Sequence, residues 1–159
     1  MAVENASGAY HVRNPYGKYV VFTAFNQENT FSLIKKRKRN KKVIVVEGSF
    51  DALSVEQIKD FEGLDIIILN SVNVKKLLES KVLKNYKTVI LALDNDEAGK
   101  KVEEILFEKM DKYVSSIEKL KYNEKDINKA LIKENNVSFN KEFLLNANDL
   151  LPEIEKVKK

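Results

Sequence analysis

From residue 43 onward the chain repeats one pattern: a continuous apolar run, a polar or acidic residue, then a stretch with helical spacing. Val43 to Val46 ends at Glu47-Gly48, Ile66 to Leu69 ends at Asn70-Ser71, and Thr88 to Leu93 ends at Asp94. Runs that are apolar at every position and rich in Val and Ile suit strands buried on both faces, whereas a half-exposed strand alternates. The segments between them differ. Ala52, Leu53, Val55, Ile58 and Phe61, then Val74, Leu77, Leu78 and Val82, then Ala98, Val102, Ile105, Leu106 and Phe107 recur at the spacing of an amphipathic helix. This alternation predicts an α/β fold with a central parallel sheet covered by helices on both faces. Tyr113 to Ile117 is expected to supply the fourth strand.

An open parallel sheet delivers the last residue of every strand to one edge, and ligands bind there, where the strand order reverses. Right-handed crossovers predict the order 2-1-3-4, which sets the first and third strands side by side about 4.8 Å apart. Glu47 and Asp94 then emerge together. Asp96 lies two residues beyond Asp94, and Asp51 opens the helix after the first strand. Two such charges about 4 Å apart repel by roughly 4 kcal/mol at an effective dielectric near 20. A hard divalent cation relieves that crowding better than protonation does.

Magnesium suits a D-x-D at a strand end, because it takes one or two carboxylates and keeps waters and phosphate oxygens for the rest. The chain has no cysteine, so thiolate metal sites, disulfides and cysteine nucleophiles are all excluded. Asp94 and Asp96 are therefore candidate Mg²⁺ ligands, with Mn²⁺ as a substitute. Glu47 either completes the site or serves as general acid/base. Ala98 and Gly99 leave room for a phosphate at the N-terminus of the next helix, a turn away from Lys100 and Lys101. Asp51 or Asp96 alone reads equally well as an N-cap. Two other chemistries fail on spacing. A calcium loop counted from Asp94 would place Ala98 at a ligand position and Ile105 where glutamate is required. A phosphatase nucleophile at Asp94 would want a hydroxyl residue soon after Asp96, where Glu97-Ala98-Gly99 stands.

VIVVEGSFDALS followed by VILALDNDEAGKK resembles the two signature motifs of the toprim domain. That domain is shared by bacterial-type primases, type IA and type II topoisomerases, OLD-type nucleases and RecR-type repair proteins. The resemblance covers roughly residues 42–121 and implies a Rossmann-like, four-stranded parallel sheet. It further implies that Glu47 is the general acid/base and that Asp94 and Asp96 bind Mg²⁺. The forms E-G-x-x-D, with Glu47, Gly48 and Asp51, and D-x-D-x-A-G, ending at Gly99, are closer to primases than to topoisomerases. KDINKAL is similar to an element after the toprim core of phage and mobile-element primase-like proteins, which places Lys125, Asp126 and Asn128 near the site. IIILNSV is similar to that group's second strand and draws in Asn70 and Ser71. The zinc-binding domain and longer N-terminal lobe of such primases have no counterpart here, so a piece of a larger protein and a minimal version both remain open.

The flanking segments divide the chain into 1–41, 42–121 and 122–159. The first carries Tyr10, Tyr16, Tyr19, Phe22, Phe25 and Phe31 among turn residues and reads as a small β-rich segment ending in a basic connector. Its Tyr10, Arg13, Tyr16 and Lys18 either pack that segment or contact single-stranded bases. His11 is not expected to take part in chemistry. The connector supplies Lys35, Lys36, Arg37, Lys38, Arg39, Lys41 and Lys42, against a net charge of only +4, so basicity is local and points to a phosphate backbone. The last segment is expected to be helical, near Asp126 to Ile132 and again from Ser138 to Lys159, with Pro152 as a break. No apolar run approaches the roughly 20 residues that span a bilayer, and no signal peptide is visible, so a cytoplasmic protein without membrane contact is expected.

Residues and resemblance together predict Mg²⁺-dependent phosphoryl or nucleotidyl transfer on nucleic acid by a primase-like domain of a phage or mobile element. A metal-dependent nuclease and a non-catalytic nucleic-acid or protein-binding module are the alternatives. The implied partners are single-stranded DNA or RNA, nucleotides, and a helicase or other replication protein.

Overall fold

The computed structural model describes residues 2–4, 10–12, 20–22, 31–70, 74–110, 114–133 and 140–146, with side chains described for 31–70, 74–110 and 114–133. Three short strands, β1 (Ala2–Glu4), β2 (Tyr10–Val12) and β3 (Val20–Phe22), pair antiparallel in that order. The β-rich character expected of this segment is present. The side chains of Tyr10, His11, Arg13, Tyr16 and Lys18, candidates for base contact or packing, lie outside the described residues.

The main sheet is built from β4 (Ser32–Ile34), β5 (Lys42–Val46), β6 (Asp65–Ile68), β7 (Thr88–Ala92), β8 (Ser116–Lys121) and β9 (Asn140–Asn146). Its order is β4-β6-β5-β7-β8-β9. The four central strands are parallel and adopt the expected 2-1-3-4 order, while β4 and β9 add antiparallel edges. Helices α1 (Ser49–Gln57), α2 (Val74–Glu79), α3 (Glu97–Met110) and α4 (Ile127–Lys133) connect or succeed the strands.

The apolar runs are continuous because both faces of the sheet are covered. Val43, Val45, Ile67, Val89 and Leu91 point to one side, where Leu77 of α2 and Leu106 and Met110 of α3 close over them. Ile44, Val46, Ile66, Ile68, Ile90 and Ala92 point to the other, against Ala52 and Val55 of α1 and Ile127 of α4. Val43 to Val46 are fully buried, and side chains of this size each contribute about 1.5–3 kcal/mol.

Two expectations are corrected. The fourth parallel strand is Ser116–Lys121, later than the Tyr113 to Ile117 expected, and Tyr113 itself lies outside the described residues. It reads poorly because Glu118 and Lys119 interrupt it; Lys119 reaches across to Glu103 of α3 at 2.7 Å. The stretch from Ser138 was expected to be helical, but Asn140–Asn146 is a strand paired to β8, with a register shift at Ile117/Glu118. An open sheet edge offers a row of unpaired N–H and C=O groups, and pairing with it overrides a weak helical periodicity. The helices expected beyond it, including the break at Pro152, lie outside the described residues. No described helix is long and apolar enough to cross a membrane.

Candidate active site

The strand order reverses between β5 and β7, whose last residues Val46 and Ala92 are paired. The chain beyond each strand end therefore shares one rim. The Asp94 backbone N–H donates to Glu47 Oε1 at 3.0 Å, so the glutamate is drawn to the aspartate loop. Asp96 caps α3: its Oδ1 accepts from the Gly99 N–H at 3.0 Å. Its Oδ2 lies 3.7 Å from Lys125 Nζ, and the same ammonium is 3.4 Å from Asp94 Oδ2. One cationic group thus faces both aspartates.

Gly99 is buried at the start of α3, and a Cβ there would sit 2.1 Å from the Asp94 carbonyl oxygen and 3.0 Å from Glu47 Oε1. The space expected here for a phosphate is taken at Gly99 by the aspartate loop's own backbone. Lys100 is exposed and enters through its backbone, donating to the Asp96 carbonyl at 3.0 Å.

The middle residue of D-x-D, missed in the sequence, is the staple of the site. The Asn95 N–H donates to the Lys125 carbonyl at 2.7 Å, and its side-chain amide donates to the carbonyls of Tyr122 and Glu124 at 2.6 and 2.7 Å. The Tyr122 hydroxyl donates in return to the Leu93 carbonyl. These bonds lock the aspartate loop to the segment that carries Lys125. Every acceptor is a backbone carbonyl some thirty residues away, which leaves no trace in the sequence pattern.

Beside the pair lies a cleft of about 240 Å³ lined by Glu47, Gly48, Phe50, Asp51, Asp94, Lys125, Asp126 and Asn128. Lys125, Asp126 and Asn128 of KDINKAL thus line the same cleft as Glu47, Asp51 and Asp94. Asp51 Oδ2 accepts from the Gly48 N–H at 3.0 Å. Asp126 caps α4 by accepting from the Lys129 N–H at 2.7 Å, and Asn128 Oδ1 accepts from Ser54 Oγ of α1 at 3.1 Å. Asn70 sits outside the cleft: in a left-handed conformation, φ 57°, it donates from Nδ2 to Ser32 Oγ at 3.0 Å. Its backbone N–H donates to the Glu47 carbonyl at 3.0 Å, so its support is indirect. Ser71 lies outside the described residues.

Crowding sets the electrostatics. Burial raises the Glu47 carboxyl, opposed by the Asp94 N–H and reinforced by the charges of Asp94 and Asp96. Burial, with Asp126 and Asp94 nearby, pushes Asp51 up to about 7. Burial also raises Asp94, against the pull of Lys125, whereas the Gly99 N–H and then Lys125 hold exposed Asp96 below its ordinary range. Lys125 is raised in turn, first by its bond to Asp94.

Among the described residues, no group of three or more His, Cys, Asp or Glu side chains is arranged to hold a metal ion. The Asp94–Asp96 pair is a different case, because it already shares one cation. A Mg²⁺ needs only one or two carboxylates plus waters, so hard oxygens of Asp94 and Asp96 around the place of the Lys125 ammonium fit that ion.

The seven basic residues of the connector are not at this rim. They precede β5 or open it, and so lie at the opposite, amino-terminal edge of the sheet, with Lys36 ion-paired to Glu56 of α1.

The pattern of the Toprim-like family matches residues 44–131. No curated protein matches the chain in sequence. Among solved structures, the primase fragment of the bacteriophage T7 primase-helicase superimposes with a TM-score of 0.60 at 20% identity, over 83% of this chain and 56% of that one. A DNA primase domain from Pseudomonas aeruginosa gives 0.59 at 14% identity, over 84% and 46%. A DnaG primase catalytic domain bound to single-stranded DNA gives 0.60 at 16% identity, over 84% and 47%. The chain thus spans about half the length of these structures, and the likeness is one of fold.

Proposed function

This chain belongs to the Toprim-like family, and we propose that its carboxylate rim carries out Mg²⁺-dependent phosphoryl or nucleotidyl transfer on nucleic acid, in the manner of a primase. The observation that carries this reading is the convergence of Glu47, Asp94 and Asp96 from two adjacent strand ends, tied together by the bond from Asp94 N–H to Glu47 Oε1 at 3.0 Å. Asp94 and Asp96 would hold the ion, which supplies charge neutralisation for phosphate oxygens. Glu47, its carboxyl raised by burial, takes the proton from an attacking hydroxyl or returns one to a leaving oxygen. Lys125 and the cleft formed with Asp126 and Asn128 orient the phosphate-bearing substrate. The similar phage and bacterial structures are primases, one of them bound to single-stranded DNA, which favours a single strand and nucleotides as substrates. By the same likeness to a primase-helicase, a helicase is the partner of choice. The division into a β-rich segment, a core at 42–121 and an extension belongs to this proposal as well.

One observation favours a second reading, a non-catalytic binding module: the Lys125 ammonium already bridges the aspartates at 3.4 and 3.7 Å, a resident counter-ion that would make a metal dispensable. A thermal melt with Mn²⁺ or Mg²⁺ separates the two. Stabilisation of the wild type but not of Asp94→Asn supports the catalytic reading, and no ion-dependent shift in either leaves the module. Incubation with labelled single-stranded DNA and nucleotides then distinguishes extension from cleavage, the product of a nuclease.

A further inference from the structure

At the amino-terminal edge of the sheet lies a larger cleft of about 380 Å³, lined by Lys35, Arg37, Lys38, Arg39, Asn40 and Lys41 of the connector and, across from it, by Lys84, Asn85 and Tyr86. Its shape is built from below. Asp65, 2% exposed at the start of β6, accepts from the Lys36 N–H at 2.9 Å, from Asn40 Nδ2 at 3.2 Å and from the Tyr86 hydroxyl at 2.8 Å. Asn40 also donates to the Gly63 carbonyl at 2.7 Å, and the Arg37 guanidinium lies over Gly63, 2.7 Å from where a Cβ would stand. Asp65, the lone acid among the described residues lining the cleft, is thus buried and engaged, while Lys35, Arg37, Lys38, Arg39 and Lys41 are exposed. None of these five is ion-paired to another described residue.

We propose that this cleft is a second nucleic-acid contact, which grips the phosphate backbone of a single strand at the edge opposite the carboxylates. The proposal rests on the proposed function only in taking nucleic acid as the partner. The chemistry selects phosphates over bases. Ammonium, guanidinium and amide groups are phosphate donors, and Tyr86, the one aromatic among the described lining residues, is 4% exposed and offers no face for stacking. Cations spread over seven consecutive positions suit successive phosphates of a strand better than a single anion. The five residues of β5 separate the two edges by roughly 16 Å at about 3.3 Å per residue.

The test is fluorescence anisotropy of labelled oligo-dT in EDTA, which removes divalent ions from the carboxylate rim. The variant is Lys38→Gln/Arg39→Gln/Lys41→Gln, with its melting temperature measured as the control for folding. In wild type, affinity should rise as the oligonucleotide lengthens from 4 to 12 nucleotides and should resist inorganic phosphate at equal phosphate concentration. The triple variant should bind at least tenfold more weakly at low salt, with a log–log salt slope shallower by roughly 2, at about 0.7 per lost contact. Asp94→Asn should keep the wild-type slope. Lysine acetylation of the wild type, read by mass spectrometry, should be suppressed at Lys38 and Lys41 by the 12-mer. Equal affinity and slope in wild type and triple variant, or full displacement by inorganic phosphate, overturns the proposal while leaving the metal titration at the carboxylate rim to stand or fall by itself. Absence of any binding by wild type overturns this proposal together with nucleic acid as partner.

Discussion

Replacing Gly99 by alanine sets two measurable effects against each other. In a helix, alanine gains about 1 kcal/mol over glycine. Here, however, the new methyl would lie 2.1 Å from the Asp94 carbonyl oxygen, and ordinary contact begins near 3.4 Å, so the helix and the aspartate loop must part by about 1.3 Å. The obstacle is backbone, not a side chain that can swing away. The loop is also pinned from the far side by Asn95, through bonds of 2.6 to 2.7 Å to residues 122–125. Overpacking of this kind typically costs 1–3 kcal/mol, and the rigidity on both sides places it at the upper end, leaving a net loss of about 2 kcal/mol after the helical gain. For a chain of this length, that is a fall in melting temperature of about 4–8 °C. The same displacement tilts Asp94 away from Glu47 and Asp96, so the Mn²⁺-induced stabilisation should shrink with it. Differential scanning calorimetry with and without Mn²⁺ reads both. A variant as stable as wild type with an undiminished ion response would show that α3 has slack at its start, and that the glycine does not set the geometry of the rim.

Removing the ammonium in Lys125→Met should lower the melting temperature of the metal-free protein and tighten Mn²⁺ binding by up to about fivefold, the range of an exposed ion pair; unchanged Mn²⁺ affinity by calorimetry would mean that the lysine does not compete for the ion. Asp51 should make stability pH-dependent. Its carboxyl is raised in the fold from 3.8 to about 7, so its contribution is fully present below about pH 4 and is lost as pH rises to 7, at most about 4 kcal/mol. Asp51→Asn should lack that component, and parallel melting curves for both proteins from pH 4 to 8 would exclude it. Tyr86→Phe deprives the buried Asp65 of a donor at 2.8 Å and should cost about 1–3 kcal/mol in urea unfolding, with no change in Mn²⁺ binding.

The parts of this protein that could be read in advance are those where one local signal and one global rule agree. Val43 to Val46 is apolar at every position because α1 and α4 cover one face and α2 and α3 the other, so burial wrote itself into the sequence without alternation. The places where those runs stop then located Glu47 and Asp94. Ser116–Lys121 is displaced from its expected position because Glu118 and Lys119 break the apolar run, and Asn140–Asn146 reads as helix because an edge strand owes its state to its partner. Asn95 is silent because its value lies in three distant carbonyls, and a carbonyl is present at every position of any chain.

The placement of the basic connector follows from the same topology. A parallel sheet sends the residues after its strands to one edge and the residues before them to the other. The rule that brings Glu47 and Asp94 together therefore also carries Lys35 to Lys41, which precede β5, and Lys84, which precedes β7, to the opposite side. The same topology gives the two edges opposite electrostatic characters: acids at the carboxyl ends, with Lys125 facing the aspartate pair, and cations at the amino ends, with buried Asp65 as their anchor. A polyanion of the kind proposed would be drawn first to the amino edge, where, among the described residues, the one acid of the cleft is buried and engaged. Under the proposed function it would reach the acidic rim only with a cation at Asp94 and Asp96, and strand first, ion-dependent engagement second, would then be the order that strand direction imposes.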